Sequence, residues 1–340
     1  MKKLYLIAGP CSAETQEQVF RTAEGLKAAG ADCFRAGLWK PRTRPGHFEG
    51  VGEEGVSWMK KVKEELGMCI CTEVAFREHV EICRKAGFDM VWLGARTTSN
   101  PFLVQELAEA LSGSGMTVLI KNPISPDLEL WVGAVERMRN AGIEKIIAVH
   151  RGFSPYEKLK YRNAPGWQIV SDFRRLCPDI PVYCDPSHLA GTKELVPEIC
   201  QSAVDLNFDG LMIESHINPS EALSDAGQQL TPEEIGKVLS GLKMDREAAE
   251  KINDSALISE YRAQIDAIDE NLLKDLGRRM DVSRKLGEYK KEHNIPVIQS
   301  ERWEEVINSV NAEAGRYGLH KDFVKSIFSI IHDASIEEQN

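Results

Sequence analysis

Short apolar runs alternate with longer segments of helical periodicity over the first 215 residues of the chain. Each apolar run ends in a polar or glycine-rich turn, as expected of a buried β-strand. The runs that predict strands are Leu4–Ala8, Cys33–Ala36, Met68–Glu73, Met90–Leu93, Thr117–Ile120, Lys145–His150, Pro181–Cys184 and Gly210–Glu214. The segments that predict helices include Gln16–Ala29, Val56–Leu66, Glu78–Ala86, Leu103–Leu111, Leu128–Asn140, Lys193–Ala203 and Pro232–Leu242. Because strands that alternate with helices favour a parallel sheet, eight such repeats predict an α/β fold, a closed (β/α)8 TIM barrel.

The pattern changes after Leu242. A charged stretch without a firm apolar stripe comes first and predicts a linker. From Ile258 onward, apolar residues recur at steps of three and four, which is typical of helices. The helices predicted there are Ala256–His293, Ser300–Tyr317 and Lys321–Glu338. The predicted domains are a barrel over residues 1–242, a linker over 243–255 and an all-α three-helix domain over 256–340.

The first of these three helices is unusually long, about 55 Å at 1.5 Å per residue. A domain of this size cannot cover the apolar stripe of such a helix by itself. Pairing with a second copy of the chain would cover it. We therefore expect a homo-oligomer, at least a dimer that forms through these helices.

Charge and composition exclude several classes of partner. The net charge is −10, which argues against nucleic acid or an anionic membrane surface as the main partner. The apolar run after Lys2-Lys3 is too short for a signal peptide or a membrane span, so a cytoplasmic location is expected. The eight cysteines form no Cys-x-x-Cys pair, and we expect buried thiols rather than a disulfide framework.

Polar motifs follow most of the predicted strands. The stretch from Arg35 to Thr43 places three cations in nine residues. By itself such a stretch is more often a solvated loop, but cations this close repel one another unless an anion such as phosphate lies between them. The carboxyl ends of barrel strands form one rim, where barrel enzymes build their sites. The sequence therefore predicts an anion-binding basin at that rim.

A second group of residues at the same rim has the chemistry of metal ligands. Because strand eight pairs with strand one in a closed barrel, Cys11, His188 and Glu214 come from three neighbouring strands. Asp225, on the loop after strand eight, can reach them. Each residue alone is more often structural, but a thiolate, an imidazole and two carboxylates together favour a divalent first-row metal over magnesium or calcium. The candidate ions are Mn, Fe, Co and Zn.

The motifs at the strand ends resemble those of 3-deoxy-D-arabino-heptulosonate-7-phosphate (DAHP) synthases over about residues 1–240. The matching motifs are Ala8-Gly9-Pro10-Cys11-Ser12, Lys40-Pro41-Arg42-Thr43, Gly94-Ala95-Arg96, Asp185-Pro186-Ser187-His188 and Ile213-Glu214-Ser215-His216. The sibling family that makes the eight-carbon Kdo phosphate typically has Ala-Asn-Arg-Ser at the second motif. The resemblance therefore implies a DAHP synthase, with a Kdo-type or sialic-acid-type synthase as the alternative. Since the predicted barrel begins close to residue 1, we expect no N-terminal regulatory extension.

By this resemblance the reaction is the aldol-type condensation of phosphoenolpyruvate with erythrose 4-phosphate, which releases phosphate. The residues implied to bind phosphoenolpyruvate are Arg35, Lys40, Arg96, Lys121 and Arg151. Arg42 and Thr43 are implied to bind the phosphate of erythrose 4-phosphate. The implied catalytic residues are Lys40, Lys121 and Asp185, although a structural hydrogen bond is an equal alternative for Asp185. The implied metal ligands are Cys11, His188, Glu214 and Asp225, and His216 stays unassigned.

Three cations on the predicted long helix suggest a second site. Arg279 and Lys290 are eleven residues apart, about 20° around a helix with 3.6 residues per turn, so they share a face. Arg262 lies about 100° away from Arg279. It therefore fits the same pocket best if it comes from a partner chain.

Residues 256–340 resemble the all-helical chorismate mutases, entwined dimers that share one arginine across the two-fold axis. The resemblance implies conversion of chorismate to prephenate, with Arg279 and Lys290 as catalytic residues. The residues implied to bind chorismate are Arg262, Arg279, Lys290, Gln299, Arg302 and Gln339. Two positions depart from the family pattern. Trp303 stands where the family usually has Glu, and Gln299 stands where it has an acidic residue. A slow mutase or a reshaped pocket is the consequence we expect.

The fusion of the two domains predicts a bifunctional enzyme with feedback, in which prephenate is the expected inhibitor of the barrel. The alternative is that the helical domain serves only as a dimerisation and prephenate-sensing module.

Overall fold

The computed structural model describes residues 4–41, 46–155, 159–243 and 256–339, with the backbone alone at 256–260 and 300. It contains two compact units, Met1–Met244 and Asp245–Asn340. Nearly all of the predicted linker lies outside the described residues. None of the described helices combines the length and the apolar character needed to cross a bilayer.

Eight parallel strands close into a barrel in chain order. They are β1 (Tyr5–Gly9), β2 (Cys33–Arg35), β3 (Cys69–Val74), β4 (Met90–Leu93), β5 (Thr117–Lys121), β6 (Ile146–His150), β7 (Val182–Cys184) and β8 (Gly210–Glu214). β1 pairs with β8 over its whole length, and Gly9 lies opposite Glu214. The closed parallel barrel predicted from the apolar runs is confirmed.

Side chains of each strand point alternately into the barrel and toward the helices, because successive residues of a strand face opposite sides. The barrel interior is filled by Ile7, Cys33, Cys71, Trp92, Leu119, Ile147, Val149, Tyr183 and Met212. The larger core lies between the strands and the helices and includes Leu6, Ala8 and Phe34. The ring of Trp92 closes the interior just below the carboxyl ends of the strands, where it lines a cavity.

The helices cover the outside of the barrel. They are α1 (Gln16–Ala28), α2 (Glu54–Leu66), α3 (Arg77–Ala86), α4 (Ala95–Thr98), α5 (Pro101–Leu111), α6 (Leu128–Asn140), α7 (Gln168–Leu176), α8 (Pro186–Ala190), α9 (Val196–Asp205) and α10 (Pro232–Gly241). The helices named from the sequence pattern do not include α7, although it buries Val170 and Phe173 at helical spacing and α3, which was predicted, also buries only two residues.

Two helix caps help to build the functional rim. The Asp185 side chain accepts a hydrogen bond from the backbone N–H of His188, which starts the short helix α8 directly after β7. Thr231 and Glu234 form a reciprocal capping box at the start of α10. The cap at Asp185 therefore places the Asp185 carboxylate and the His188 imidazole on the same helical turn.

The second unit contains α11 (Ala256–Glu292), α12 (Ser300–Ala314) and α13 (Lys321–Gln339), close to the predicted bounds. Gly318, in a left-handed conformation with φ of 68°, separates α12 from α13. α13 packs against both of the other helices. Much of the apolar stripe of α11 is exposed in this single chain, at Tyr261, Ile265, Ile268, Leu272, Leu273, Val282 and Leu286.

Candidate functional sites

A cavity of about 510 Å³ opens at the carboxyl ends of the barrel strands. The predicted site residues that line it are Lys40, Arg96, Lys121, Arg151, His188 and Asp225. Pro41, Glu73, Trp92 and Arg162 also line it. Arg42 and Thr43, predicted to bind the second phosphate, lie outside the described residues.

The floor of the cavity is the ring of Trp92, over which two cations lie. The guanidinium carbon of Arg35 is 4.5 Å from the ring centroid, and Lys121 Nζ is 5.7 Å from it. Arg35 is only 1% exposed, and its Nη1 lies 3.4 Å from Glu214 Oε1. A cation that loses its hydration in this way is stabilised by the aromatic face and by the opposite charge.

The backbone carbonyl oxygen of Cys11 anchors the basic stretch. Arg35 Nη2 donates to it at 3.2 Å and Lys40 Nζ at 3.1 Å. Burial lowers the pKa of Lys40, but the acidic neighbours Cys11, Glu73 and Glu214 offset this and keep that pKa above its usual value. Lys40 is therefore a charged donor at neutral pH.

Lys121, Asp185 and His188 form a buried chain. Lys121 Nζ lies 2.7 Å from Asp185 Oδ2, and His188 Nδ1 lies 2.8 Å from the same oxygen. Burial opposes ionisation of Asp185, but His188 and Lys121 hold its pKa well below the usual range. The Asp185 carboxylate thus orients the imidazole of His188 and pairs with Lys121.

Three of the four predicted metal ligands converge directly. The donor atoms of Cys11, Glu214 and Asp225 all lie within 4.8 Å of one another, and Cys11 Sγ is 3.6 Å from Asp225 Oδ2. His188 Nε2 faces the group at 3.7 Å from Glu214 Oε1. That Glu214 oxygen is buried and has no hydrogen-bond partner among the described residues.

The donor set fits a divalent cation. Burial and the charge of Glu214 raise the pKa of the Cys11 thiol to about 12, so thiolate formation there calls for an added positive charge. Burial also lowers the pKa of His188, which favours the neutral imidazole that ligates metals. Despite burial, nearby cations keep the pKa values of Glu214 and Asp225 below normal, so both carboxylates are ionised.

Arg151 lines the cavity directly after β6, the strand that pairs with β7. Its backbone N–H donates to Asn122 Oδ1 at 2.7 Å, and its Nη1 donates to Asn163 Oδ1 at 3.0 Å. Burial lowers the pKa of Arg151 to about 10, which still leaves it charged at neutral pH. His216, in contrast, is buried outside the cavity lining, with Nε2 3.5 Å from Glu14 Oε2.

The sequence analysis did not single out several residues that line the cavity. Glu73 and Trp92 were placed on strands, and the alternation of inward positions could have marked them. Arg162 lies in the long loop after β6, and no local pattern there points to the site. Its place depends entirely on how the loops after β6, β7 and β8 meet.

In the helical unit, two predicted residues bond to Ser335 of α13, Arg279 from α11 and Gln339 from the last turn of α13 itself. Arg279 Nη1 donates to the hydroxyl of Ser335, and Gln339 Nε2 donates to the Ser335 carbonyl oxygen at 3.0 Å. Gln339 Oε1 is buried without a partner among the described residues. Ser335, which the sequence analysis did not identify, therefore lies between the two predicted residues.

The remaining predicted residues of this unit differ in their surroundings. Lys290 is buried and donates to the Val297 carbonyl oxygen at 2.9 Å. Arg302 is exposed and pairs with Glu305 at 2.8 Å. Arg262 and Gln299 are exposed as well. One chain alone thus does not enclose all six residues predicted to bind chorismate.

Trp303 stacks on His332, with ring centroids 4.2 Å apart. The position that departs from the family pattern therefore joins α12 to α13 through an aromatic contact.

Solved structures show the same barrel. A crystal structure of phospho-2-dehydro-3-deoxyheptonate aldolase (DAHP synthase) from Thermotoga maritima matches with a TM-score of 0.63 and 29% identity, covering 74% of this chain and 69% of that one. A truncated form of 3-deoxy-D-arabino-heptulosonate 7-phosphate synthase from the same organism matches with a TM-score of 0.60 and 26% identity, covering 74% and 87%.

Sequence relatives carry two different names. A phospho-2-dehydro-3-deoxyheptonate aldolase of Thermotoga maritima is 31% identical over 239 residues, 70% of this chain and 68% of the relative. A 2-dehydro-3-deoxyphosphooctonate aldolase of Azoarcus sp. (strain BH72) is 29% identical over 268 residues, 71% of this chain and 90% of the relative.

Two family models match separate parts of the chain. Residues 1–251 match the DAHP synthetase I family, and residues 261–340 match chorismate mutase type II. The first match covers the barrel, and the second covers most of the three helices. The chain belongs to the DAHP synthetase I family and carries a chorismate mutase type II domain after its barrel.

Proposed function

We propose that the barrel condenses phosphoenolpyruvate with erythrose 4-phosphate to give DAHP and inorganic phosphate. The observation that carries this proposal is a cavity lined by Lys40, Lys121 and Arg151 and by Asp225, which also belongs to the donor group with Cys11 and Glu214. Phosphoenolpyruvate carries both a carboxylate and a phosphate, and guanidinium groups can bind either one bidentately. The family match and the relative from Thermotoga maritima support the same reaction.

In this reaction C3 of phosphoenolpyruvate attacks the aldehyde carbon of erythrose 4-phosphate, which forms the new C–C bond. The oxygen of a water molecule adds to C2, and the C2–O bond to the phosphate then breaks. Of the two protons that the water supplies, one ends on the former aldehyde oxygen and the other on the departing phosphate.

The residues of the chain fit definite parts of this chemistry. Arg35, Lys121 and Arg151 are fixed by buried contacts and would hold the anionic groups of phosphoenolpyruvate. Lys40, a charged donor anchored on the Cys11 carbonyl, would donate a proton to the developing alkoxide. Because these charges are held in place before the reaction, they need little reorganisation as substrate charge shifts.

Cys11, His188, Glu214 and Asp225 would hold the divalent ion. Such an ion supplies Lewis-acid polarisation of the aldehyde oxygen or activation of a water molecule. We propose Mn, Fe, Co or Zn, because a thiolate and an imidazole are poor ligands for magnesium and calcium.

The test is phosphate release from phosphoenolpyruvate, measured with either erythrose 4-phosphate or arabinose 5-phosphate, with and without a chelator. We expect release with the four-carbon sugar only, and loss of that release on chelation. Preferred use of the five-carbon sugar would instead support the second candidate, a 2-dehydro-3-deoxyphosphooctonate aldolase, the name carried by the relative from Azoarcus. Full activity in a metal-free preparation would disprove the metal role.

For the helical unit we propose the rearrangement of chorismate to prephenate in a dimer. Arg279, Lys290 and Gln339 would bind chorismate together with Ser335, and Arg262 would come from the second chain. The rearrangement requires only a fixed conformer and positive or donor groups near the breaking C–O bond. Decay of chorismate absorbance with the full chain tests this, and no decay above the uncatalysed rate would leave only the sensing role.

Prephenate is the proposed feedback inhibitor of the barrel. The support for this regulation is the fusion itself, because a product-binding domain tethered to a synthase can bias its activity. Condensation rates measured over a range of prephenate concentrations test it.

A further inference from the structure

Two adjacent residues in the loop after β6, Arg162 and Asn163, are attached to the short helix α8. The backbone N–H of Arg162 donates to the Ala190 carbonyl oxygen, and that of Asn163 to the Leu189 carbonyl oxygen, each at 3.2 Å. Gly191, with φ of 75°, makes room for this attachment, because a Cβ there would lie 2.3 Å from Arg162 Cβ. The loop is therefore fixed against the helix that carries His188.

The side chain of Asn163 joins Arg151, after β6, to the backbone of His188, after the neighbouring strand β7. Its Nδ2 donates to the His188 carbonyl oxygen at 2.6 Å, while its Oδ1 accepts from Arg151 Nη1 at 3.0 Å. The residue is 3% exposed. One buried amide thus fixes both a proposed substrate-binding arginine and the backbone of a proposed metal ligand.

The side chain of Arg162 extends in the other direction, to the loop after β8. Its Nη1 donates to Gln228 Oε1 at 2.7 Å and lies 3.5 Å from Asp225 Oδ1. The buried Gln228 in turn donates from Nε2 to Glu214 Oε2 at 2.6 Å. Arg162 therefore contacts one proposed ligand directly and a second through a single amide.

The backbone conformation of Asp225 indicates that its contact with Arg162 is important for the geometry of the site. Asp225 has φ of 44°, in the left-handed region that residues other than glycine seldom occupy. A conformation of this kind persists where surrounding contacts hold it in place. Since Asp225 Oδ2 lies near Cys11 Sγ, the contact of Arg162 with Oδ1 orients the carboxylate toward the donor group.

We propose that Arg162 and Asn163 are a positioning pair that orients the metal ligands Glu214, Asp225 and His188 and couples them to Arg151. The inference rests on the proposed metal-dependent condensation. Arg162 sets the affinity for the divalent ion, and Asn163 links that affinity to the binding of phosphoenolpyruvate. The competing reading is an ordinary half-exposed ion pair, which would leave metal affinity unchanged.

The principal test is the dissociation constant for Mn²⁺, or Zn²⁺ if Mn²⁺ does not support activity, measured by chelator competition with the full-length Arg162→Met variant. This substitution keeps the apolar stem beside Gly191 and removes the charge and the donors. We expect binding 10- to 100-fold weaker, the usual effect of losing an outer-sphere partner of metal ligands. The melting temperature of the metal-free protein should stay close to that of the wild type.

Arg139→Met is the matched control. Arg139 Nη2 donates to both carboxylate oxygens of Asp179 at 2.6 Å. The Arg139 side chain is 37% exposed, against 48% for Arg162, and it does not line the cavity. Its loss should leave the metal dissociation constant unchanged. Arg162→Lys should fall between wild type and Arg162→Met, because a lysine keeps the charge facing Asp225 but cannot also hold Gln228 in the same geometry.

Asn163→Ala tests the link between Arg151 and His188. We expect a higher KM for phosphoenolpyruvate together with weaker metal binding, since Arg151 and the His188 carbonyl both lose their partner. A change in KM alone would show that Asn163 positions only Arg151 and would overturn the coupling.

The wild-type measurements separate the two possible failures. If wild type binds the ion and loses condensation on chelation, but Arg162→Met binds as tightly as wild type, the inference is wrong and the proposed function stands. If wild type binds no divalent ion, the proposed metal role is wrong and the inference falls with it.

Discussion

The Glu214 side chain shows how burial directs the chemistry of the barrel at the scale of single residues. One oxygen accepts from Gln228, while the other faces Arg35 and His188 at 3.4 and 3.7 Å and has no hydrogen bond within the described part of the chain. A buried carboxylate oxygen that has lost its water costs free energy unless a cation or donor compensates it. This carboxylate group lies close to the donor atoms of Cys11 and Asp225. The proposed ion, bound between them, would provide the compensating positive charge.

The first prediction concerns the thiol of this site. Cys11→Ala should lower the metal content of the purified protein, since the softest of the four donors is removed. Elemental analysis measures the metal-to-protein ratio, and Cys200→Ala is the control because Cys200 is an equally buried thiol on α9, away from the donor group. Equal metal content in the two variants would contradict the assignment of Cys11.

The second prediction concerns His150, which is fully buried among aromatic rings and bonded at Nε2 to the Pro165 carbonyl oxygen. Burial lowers the pKa of His150 to about 4, whereas the unfolded chain takes up the proton near pH 6.5. Between these values the unfolded state binds more protons, so stability falls as pH falls from about 6.5 to about 4. The His150 contribution to this loss is about 3 kcal/mol by the same linkage.

This loss can be isolated by comparing denaturant unfolding of wild type and His150→Gln across that pH range. The variant should show a shallower loss of unfolding free energy, because glutamine does not titrate. Identical pH slopes for the two proteins would show that His150 is not the group responsible.

At the scale of elements, α11 stands out because an amphipathic helix normally buries its apolar stripe, whereas that of α11 is largely exposed in the single chain. The barrel helices illustrate the usual case. On α1, Val19, Ala23 and Leu26 are all buried. A second copy of the chain is the proposed cover for α11.

The third prediction follows from this exposed stripe. Ile268→Glu places a charge at its centre and should reduce the sedimentation mass below that of wild type, which we expect to be at least twice the chain mass of 38.0 kDa. Mutase kcat/KM should fall about 100-fold, as when one charge-stabilising group is removed, because Arg262 would no longer be supplied by the partner. Leu206→Glu, an exposed leucine of the barrel, is the control and should change neither value. Unchanged mass for Ile268→Glu would argue against dimerisation through α11.

At the scale of the whole molecule, the chain joins a DAHP synthase domain to a chorismate mutase domain. Regulation between them requires that binding at one site change the affinity at the other, and such coupling is reciprocal by thermodynamic necessity. Prephenate should therefore weaken binding of phosphoenolpyruvate, and phosphoenolpyruvate should weaken binding of prephenate by the same factor.

The fourth prediction tests that reciprocity by calorimetric titration of each ligand in the presence and absence of the other. We expect a coupling of 5- to 150-fold, the usual range for allosteric proteins. Arg279→Ala should abolish the effect of prephenate while leaving condensation without prephenate unchanged. Independent binding of the two ligands in the wild type would rule out feedback through equilibrium affinity.

The sequence by itself determined the secondary-structure elements and the position of the site at the carboxyl ends of the barrel strands. Apolar runs and helical periods are local signals, and they predicted eight strands, most of the helices and the long α11. Chain order around a closed barrel then brought Cys11, His188 and Glu214 to neighbouring strand ends. Motifs directly after strands are predictable because a strand fixes where its last residue lies.

Only the tertiary structure decided which side chains in the longer loops complete the site. Arg162 meets Asp225 and Gln228, more than sixty positions later in the chain, and no local pattern records this meeting. The physical reason is that periodicity and capping act over a few residues, whereas contacts between loops depend on the closed path of the whole backbone.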